Sequence, residues 1–294
     1  MKIFDCFQFF DEDMMLDLRL NILDKYVDKF VIVENLFMHS GKKKKQNFRI
    51  EKYKKFEKKI EYILVDKLPD NLVDINSVPK KQKTNTVIDN TLKIEHNQRN
   101  KISEGLKDAS DDDLVLISDV DEIPKLKDIK NKIHKKIICF NQKMFCYKFN
   151  LAFENTRWIG TKAVLKKDLL NAQWLRDIKD RQYPLWRIDI LFDKMKYNNI
   201  QFISDGGWHF TNLRTPEQLE IKLKNFGHHA EYLESGLNIL DLEKMIKENR
   251  AVYNYFADMK KNKWSGEVKL KKTDLSEMPQ FLQINYNKFK DWFC

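Results

Sequence analysis

Cysteine is sparse in this sequence, and Cys6, Cys139, Cys146 and Cys294 form neither a Cys-x-x-Cys pair nor a metal-finger spacing. Four thiols among 294 residues are too few for a disulfide framework, so free cysteines in a reducing compartment are expected. No apolar run approaches the roughly 20 residues that span a bilayer. Met1-Lys2-Ile3-Phe4-Asp5 meets charge too early for the apolar core of a signal peptide. Together these absences predict a soluble, intracellular (cytoplasmic) chain with no transmembrane segment. No internal repeat appears, and no linker forces a boundary, so residues 1–294 are expected to form a single domain. A hydrophobic fraction of 42% with 12% aromatics excludes wholesale disorder. The formal charge of +10 favours anionic partners such as nucleic acid, lipid headgroups or phosphorylated metabolites, or else a lysine-rich solvated surface.

Along the chain, Lys2 to Phe10 predicts a first strand, and Asp11, Glu12 and Asp13 suit the positive end of a helix through Met15, Leu18 and Ile22. Phe30 to Glu34, Tyr62 to Val65 and Leu114 to Ser118 are short apolar runs of the buried parallel-strand kind. Gly41 to Lys45 is a basic loop, either a solvated turn or a phosphate-steering segment, and Pro69 to Thr86 looks irregular. Helical spacing over Thr91 to Lys107 puts Leu92, Ile102 and Leu106 on one stripe with Arg99 in its middle. Strands then come closer together, over Lys136 to Phe140, Met144 to Leu151 and Arg157 to Leu165, which suggests an antiparallel addition. Thr215-Pro216-Glu217-Gln218 reads as a capped helix start, with Gly227 as its stop. The tail after Asp241 is expected to be one helix with irregular packing. Strands alternating with helices make the fold class α/β, a central mixed, mostly parallel sheet flanked by helices.

Asp119 and Asp121 follow the clearest buried strand, so they lie at its carboxyl end, where open α/β sheets bind ligands. In extended backbone both carboxylates face one side while Val120 turns inward. Convergent carboxylates repel unless a cation joins them, and hard oxygen ligands suit Mg2+ or Mn2+ holding a diphosphate. The alternative is an acidic turn capping the next helix. Arg99 on an apolar face needs an anion, either a carboxylate such as Glu34 or Asp17 or a ligand phosphate. In Asp205-Gly206-Gly207-Trp208-His209-Phe210 the paired glycines allow a tight turn or close approach to a ligand. His209 is either a further metal ligand or a packed residue, and His228 and His229 carry the same ambiguity.

Four segments in order resemble glycosyltransferase family 17: Met15-Leu16-Asp17-Leu18-Arg19-Leu20, Phe30-Val31-Ile32-Val33-Glu34-Asn35, Ser118-Asp119-Val120-Asp121-Glu122-Ile123-Pro124 and Gly206-Gly207-Trp208-His209-Phe210. Thr215-Pro216-Glu217 with Lys222-Leu223 is similar to the family's next segment, and the resemblance spans roughly Phe4 to Phe226. The family includes β-1,4-mannosyl-glycoprotein β-1,4-N-acetylglucosaminyltransferases. The resemblance implies a GT-A-like domain, a nucleotide-sugar half (about 1–125) and an acceptor half (about 126–294). It also implies a UDP-sugar donor, Mn2+ or Mg2+, inversion at the anomeric carbon and a glycan or other hydroxyl acceptor. By motif match Asp119 and Asp121 become the nucleotide-sugar and metal carboxylates, Arg99 an upstream arginine, and Glu34 the end of the strand bordering the base. Inversion needs a base, for which Glu217 and Asp205 are the candidates. A metal-dependent nuclease and a non-catalytic sugar-nucleotide-binding protein are the rival classes; the transferase reading involves no nucleic acid.

Overall fold

Each apolar run expected as a strand in the first 120 residues is one in the computed structural model, which describes residues 1–154, 156, 158–181, 183, 193–225, 229–255 and 263–294. Strands β1 (Ile3–Phe9), β2 (Lys29–Asn35), β3 (Ile60–Val65) and β4 (Leu114–Asp119) run parallel in the order β3-β2-β1-β4. Strands β5 (Glu122–Pro124), β6 (Ile137–Cys146), β7 (Leu151–Phe153), β8 (Trp158–Leu165), β9 (Ile200–Ile203), β10 (Gly207–Thr211) and β11 (Leu270–Lys272) complete an eleven-stranded mixed sheet among the described residues. The antiparallel addition is present: β8 lies antiparallel beside β4, and β6 antiparallel beside β8. The strand expected over 144–151 is divided, because Tyr147 takes a left-handed φ of 65° that ends β6 at Cys146. Arg157, expected to open β8, lies outside the described residues.

Among the described residues the α-helices are α1 (Asp13–Leu23), α2 (Lys83–Asn100), α3 (Ala172–Asp177), α4 (Pro216–Asn225), α5 (His229–Ser235), α6 (Ile239–Lys247), α7 (Gln280–Ile284) and α8 (Tyr286–Phe289). The capping box of α4 is formed, with the Gln218 N–H donating to Thr215 Oγ1 at 3.3 Å and the Thr215 N–H to Gln218 Oε1 at 3.2 Å. Phe226, Gly227 and His228 lie outside the described residues. One expectation fails at α2, which starts at Lys83 inside the segment expected to be irregular. Its buried face is Thr91, Ile94, Gln98 and Arg99, whereas Leu92 is 42% exposed. Arg99, Ile102 and Leu106 of the expected stripe are buried and Leu92 alone departs from it, while Gln98 and Arg99 border a cavity rather than the apolar core.

Alternation along the parallel strands builds two apolar layers. Phe7, Phe30, Ile32, Leu114 and Leu116 face α1 and pack on Leu16, Leu20 and Leu23. Phe4, Cys6, Val31, Val33, Val115 and Ile117 face the other way, toward Ile102, Leu106 and the α3 residues Trp174 and Leu175. A third cluster joins Met144 and Tyr147 to Leu219, Tyr232 and Leu242 in the second half. The C-terminal residues return to the first layer. Phe149 packs edge-on against Phe289 and at a tilt against Phe293, its N–H donates to the Trp292 carbonyl at 2.8 Å, and α7 packs on α1. All four cysteines are free thiols, and no helix among the described residues is long and apolar enough to cross a membrane.

Candidate active site

The same alternation sorts the end of β4, leaving Ser118 on the α1 face and Asp119 on the opposite face. Beneath Ser118 lies Arg19, a fully buried guanidinium on α1. Its Nε and Nη2 donate to the two oxygens of buried Asp5 at 2.7 and 2.6 Å, and Nη2 also reaches Ser118 Oγ at 2.5 Å. Nη1 donates to the carbonyls of Asp119, Val120 and Glu122 at 3.0, 3.2 and 2.8 Å. One side chain therefore fixes the backbone of the whole acidic turn. The strand ends at Asp119 and the chain turns over Val120 and Asp121, so strict same-side alternation does not extend to Asp121. Val120 does point inward, as expected, at 6% exposure.

On the other face Asp119 lies between two arginines. Its Oδ1 accepts from Arg99 Nη2 at 3.3 Å, and its Oδ2 from Arg176 Nη2 at 3.0 Å. Burial alone would raise its pKa, but Arg176 and then Arg99 outweigh burial and bring it to about 2. Arg99 also donates to Glu95 at 2.7 Å and to Gln173 at 2.5 Å, so its anions are Glu95 and Asp119, not Glu34 or Asp17. Arg176, from α3, reaches buried Glu122 at 2.7 Å and the Gly160 carbonyl at 2.6 Å. Glu122 in turn accepts from the Asp119 N–H at 2.9 Å and from Trp158 Nε1 at 3.0 Å. Gly160 is required here, because a Cβ would lie 1.9 Å from Gln142 Oε1 and 2.9 Å from Glu122 Cδ.

Asp121 faces His209, whose Nε2 lies 3.6 Å from Asp121 Oδ1. His209 comes from β10, a strand pairing with both β5 and β6. Gly207 permits this insertion, with φ at 121° and the Ile123 carbonyl only 2.2 Å from where a Cβ would stand. The glycines thus admit protein backbone. Burial opposes a proton on His209, but Asp121 outweighs it and raises the pKa; burial likewise pushes Asp121 up, but His209 outweighs it and lowers the pKa. The imidazole stacks on Trp158 with centroids 4.8 Å apart.

These groups border a cavity of about 390 Å³ that also takes in Asn35, His39, Gln98, Tyr253, Tyr255 and Trp264. Asn35 Nδ2, Arg99 Nε, His209 Nδ1 and Trp264 Nε1 are buried on its lining residues without a hydrogen-bond partner. Such groups are uncommon in a finished core and are frequent where a ligand completes them. Among the described residues, no three carboxylate, imidazole or thiolate groups gather closely enough to hold a metal ion alone. Asp121 could give a carboxylate to a cation whose other ligands come from a diphosphate and water, the usual arrangement for magnesium, and His209 is the nitrogen beside it.

The remaining expected residues lie elsewhere. Glu34 is the last residue but one of β2, and its carboxylate is consumed inside the protein by Lys44, the N–H groups of Asn47 and Phe48 at 2.7 and 2.9 Å, and Tyr62 Oη at 2.9 Å. Lys44 of the basic loop is accordingly 6% exposed rather than solvated. Asp205 is 79% exposed and ion-paired with Lys125. Glu217 is exposed on the first turn of α4, and neither Asp205 nor Glu217 borders the cavity. Sequence reasoning missed Arg19, Glu122 and Arg176. Arg19 carries the signal that singled out Arg99, a cation within an apolar helix. Arg176 has no local signal, since its partners Asp119 and Glu122 lie 57 and 54 positions away.

No individual curated protein matches the chain. A family-level match covers nearly its whole length: the pattern of glycosyltransferase family 17 fits residues 1–291. That span takes in the acidic turn, both arginines that grip it, the β10 histidine and the tail beyond Phe226. The chain therefore belongs to glycosyltransferase family 17 and is placed by it among sugar-transferring enzymes.

Proposed function

We propose that the chain transfers a sugar from a UDP-sugar, N-acetylglucosamine by family resemblance, to a glycan or other hydroxyl acceptor with inversion, using Mn2+ or Mg2+. The observation that carries this is the pairing of Asp121 and His209 on the wall of a cavity with unpartnered buried donors. Asp121 and His209 would hold the cation. A divalent cation there would supply Lewis-acid stabilisation of the departing diphosphate. Asp119 serves differently: with both oxygens engaged by guanidiniums, it orients Arg99 and Arg176, which add positive potential beside the acidic turn. Arg19 keeps the turn from relaxing when ligand binds. Asn35, at the end of β2, borders the same cavity and would meet the nucleotide there.

The test is a thermal-shift titration. UDP is expected to raise the melting temperature mainly when manganese or magnesium is present, since native-state binding at about 100 times Kd adds roughly 2.7 kcal/mol. Equal stabilisation in EDTA would remove the shared cation from the reading, and no stabilisation by UDP under either condition would remove the donor.

A further inference from the structure

A second cavity, of about 310 Å³, adjoins the first, and Glu12, Asp121, Asn212, Arg214 and Lys222 border both. Met14, Ile221 and Trp292 give it apolar surface beyond this charged junction. That lining suits the C–H face of a sugar ring whose hydroxyls turn toward the junction. Glu12 stands at the N-cap of α1, but its side chain does not cap the helix. Instead Oε2 accepts from the N–H groups of Phe10 and Asp11, both at 3.1 Å, and Oε1 lies 3.1 Å from Arg214 Nη2. No role described so far uses this carboxylate.

We propose that the acceptor hydroxyl approaches the anomeric carbon from the second cavity and that Glu12 is the base that takes its proton. This rests on the transfer reading above and supplies its acceptor side. As the acceptor oxygen bonds to the anomeric carbon, its O–H proton passes to a Glu12 oxygen. The carbon–oxygen bond to the diphosphate breaks, and its electron pair leaves with UDP. Single-step inversion requires the base and the leaving group on different sides of that carbon. Glu12 and Asp121 both border the junction, but His209 borders the first cavity only, so the diphosphate is assigned to that side and the acceptor to the second cavity, with Glu12 facing both. Burial pushes the Glu12 carboxyl up, Arg214 and Lys222 offset this only in part, and Asp11 adds to it. A raised pKa makes a stronger base.

The test compares wild type, Glu12→Gln and Ile221→Trp, with UDP-N-acetylglucosamine as donor. Two rates are followed: hydrolysis, where water takes the acceptor's place, and transfer to methyl β-D-mannoside. Glu12→Gln is expected to lower the hydrolysis rate by about a hundredfold or more, while the manganese-dependent thermal shift by UDP stays as in wild type. The apo variant is expected to melt at or above wild type at neutral pH. A carboxyl whose folded pKa is raised contributes stability only at low pH and loses it as pH rises through that pKa, so removing the charge relieves a cost. A Glu12 that merely held the α1 turn would give the opposite, a lower melting point. The wild-type rate should rise with pH through the Glu12 titration, and the residual Glu12→Gln rate should lack that limb. Ile221→Trp, which fills the second cavity, is expected to raise the KM for the mannoside about tenfold. Glu12→Gln hydrolysis within tenfold of wild type, or an unchanged mannoside KM in Ile221→Trp, overturns the inference. Failure of UDP to stabilise wild type strikes the donor reading instead, and the two are thereby told apart.

Discussion

Asp121→Asn is expected to lower metal-dependent transfer about a thousandfold, equivalent to roughly 4 kcal/mol of lost electrostatic stabilisation, while the protein stays folded. The side chain is 18% exposed and faces His209. The contribution of Asp121 to the fold is its carbonyl, which accepts the Phe210 N–H at 2.9 Å and survives the substitution. Asp119→Asn should behave differently. It loosens Arg99 and Arg176 and weakens donor binding, but leaves a response to manganese. His209→Ala should raise the manganese concentration needed for half-maximal rate, because one neutral nitrogen ligand is gone. The measurement is initial rate against manganese concentration at saturating donor. An Asp121→Asn enzyme with wild-type turnover removes Asp121 from the cation site, and a His209→Ala enzyme with an unchanged manganese requirement returns His209 to its packing against Trp158.

Arg19→Leu is expected to cost about 3–5 kcal/mol of folding stability, the usual penalty for leaving one member of a buried ion pair alone. Asp5 and Arg19 are both 0% exposed, and Arg19 is the cation that Asp5 meets in the core. The same substitution strips a donor from the carbonyls of Asp119, Val120 and Glu122. The two losses separate in the pair Asp5→Leu with Arg19→Leu. Removing both charges should recover much of the stability, yet the acidic turn stays unpinned and the manganese requirement stays raised. Denaturant unfolding of the two single variants and the double variant gives the coupling. An Arg19→Leu protein within about 1 kcal/mol of wild type would show that the pair contributes little, as a surface bridge does.

How far the sequence reached depended on where each partner lies. Leu114 to Ser118 could be recognised because a strand buried on both faces carries an apolar run. Asp119 and Asp121 at its end were legible for the same reason, and so was the α4 start, whose capping partners are three positions apart. The full buried face of α2 was not legible: Arg99 was placed on it, but Thr91 and Gln98 are buried in a polar setting that periodicity treats as solvent, and Leu92 is exposed. Glu34 was located correctly at a strand end. Its fate depends on the 44–48 loop folding back over it, which no pattern within β2 could reveal. Glu217 was singled out by motif match, but it is exposed and does not border the cavity. Glu122 and Arg176 meet only after the sheet has formed, and their pairing belongs to tertiary structure alone.

The return of the C-terminal residues to the first apolar layer bears on how the chain reaches this state. Lys288 bonds Asp17 at 2.9 Å across 271 positions, and Phe289 and Phe293 finish a layer whose first members are Ile3 and Phe7. The equilibrium tolerates such a closure, because each doubling of loop length adds only about 0.6 kcal/mol. The rate does not. Folding slows when the decisive contacts are far apart in sequence, and a layer completed by its most distant segments depends on such contacts. Until they form, the α1 layer stands partly uncovered, with Phe149 lacking its partners and the wall around Trp292 missing. The hazard of this architecture therefore lies in its kinetics, because any state in which residues 280–293 have not yet docked leaves that aromatic face bare, and bare apolar surface favours aggregation.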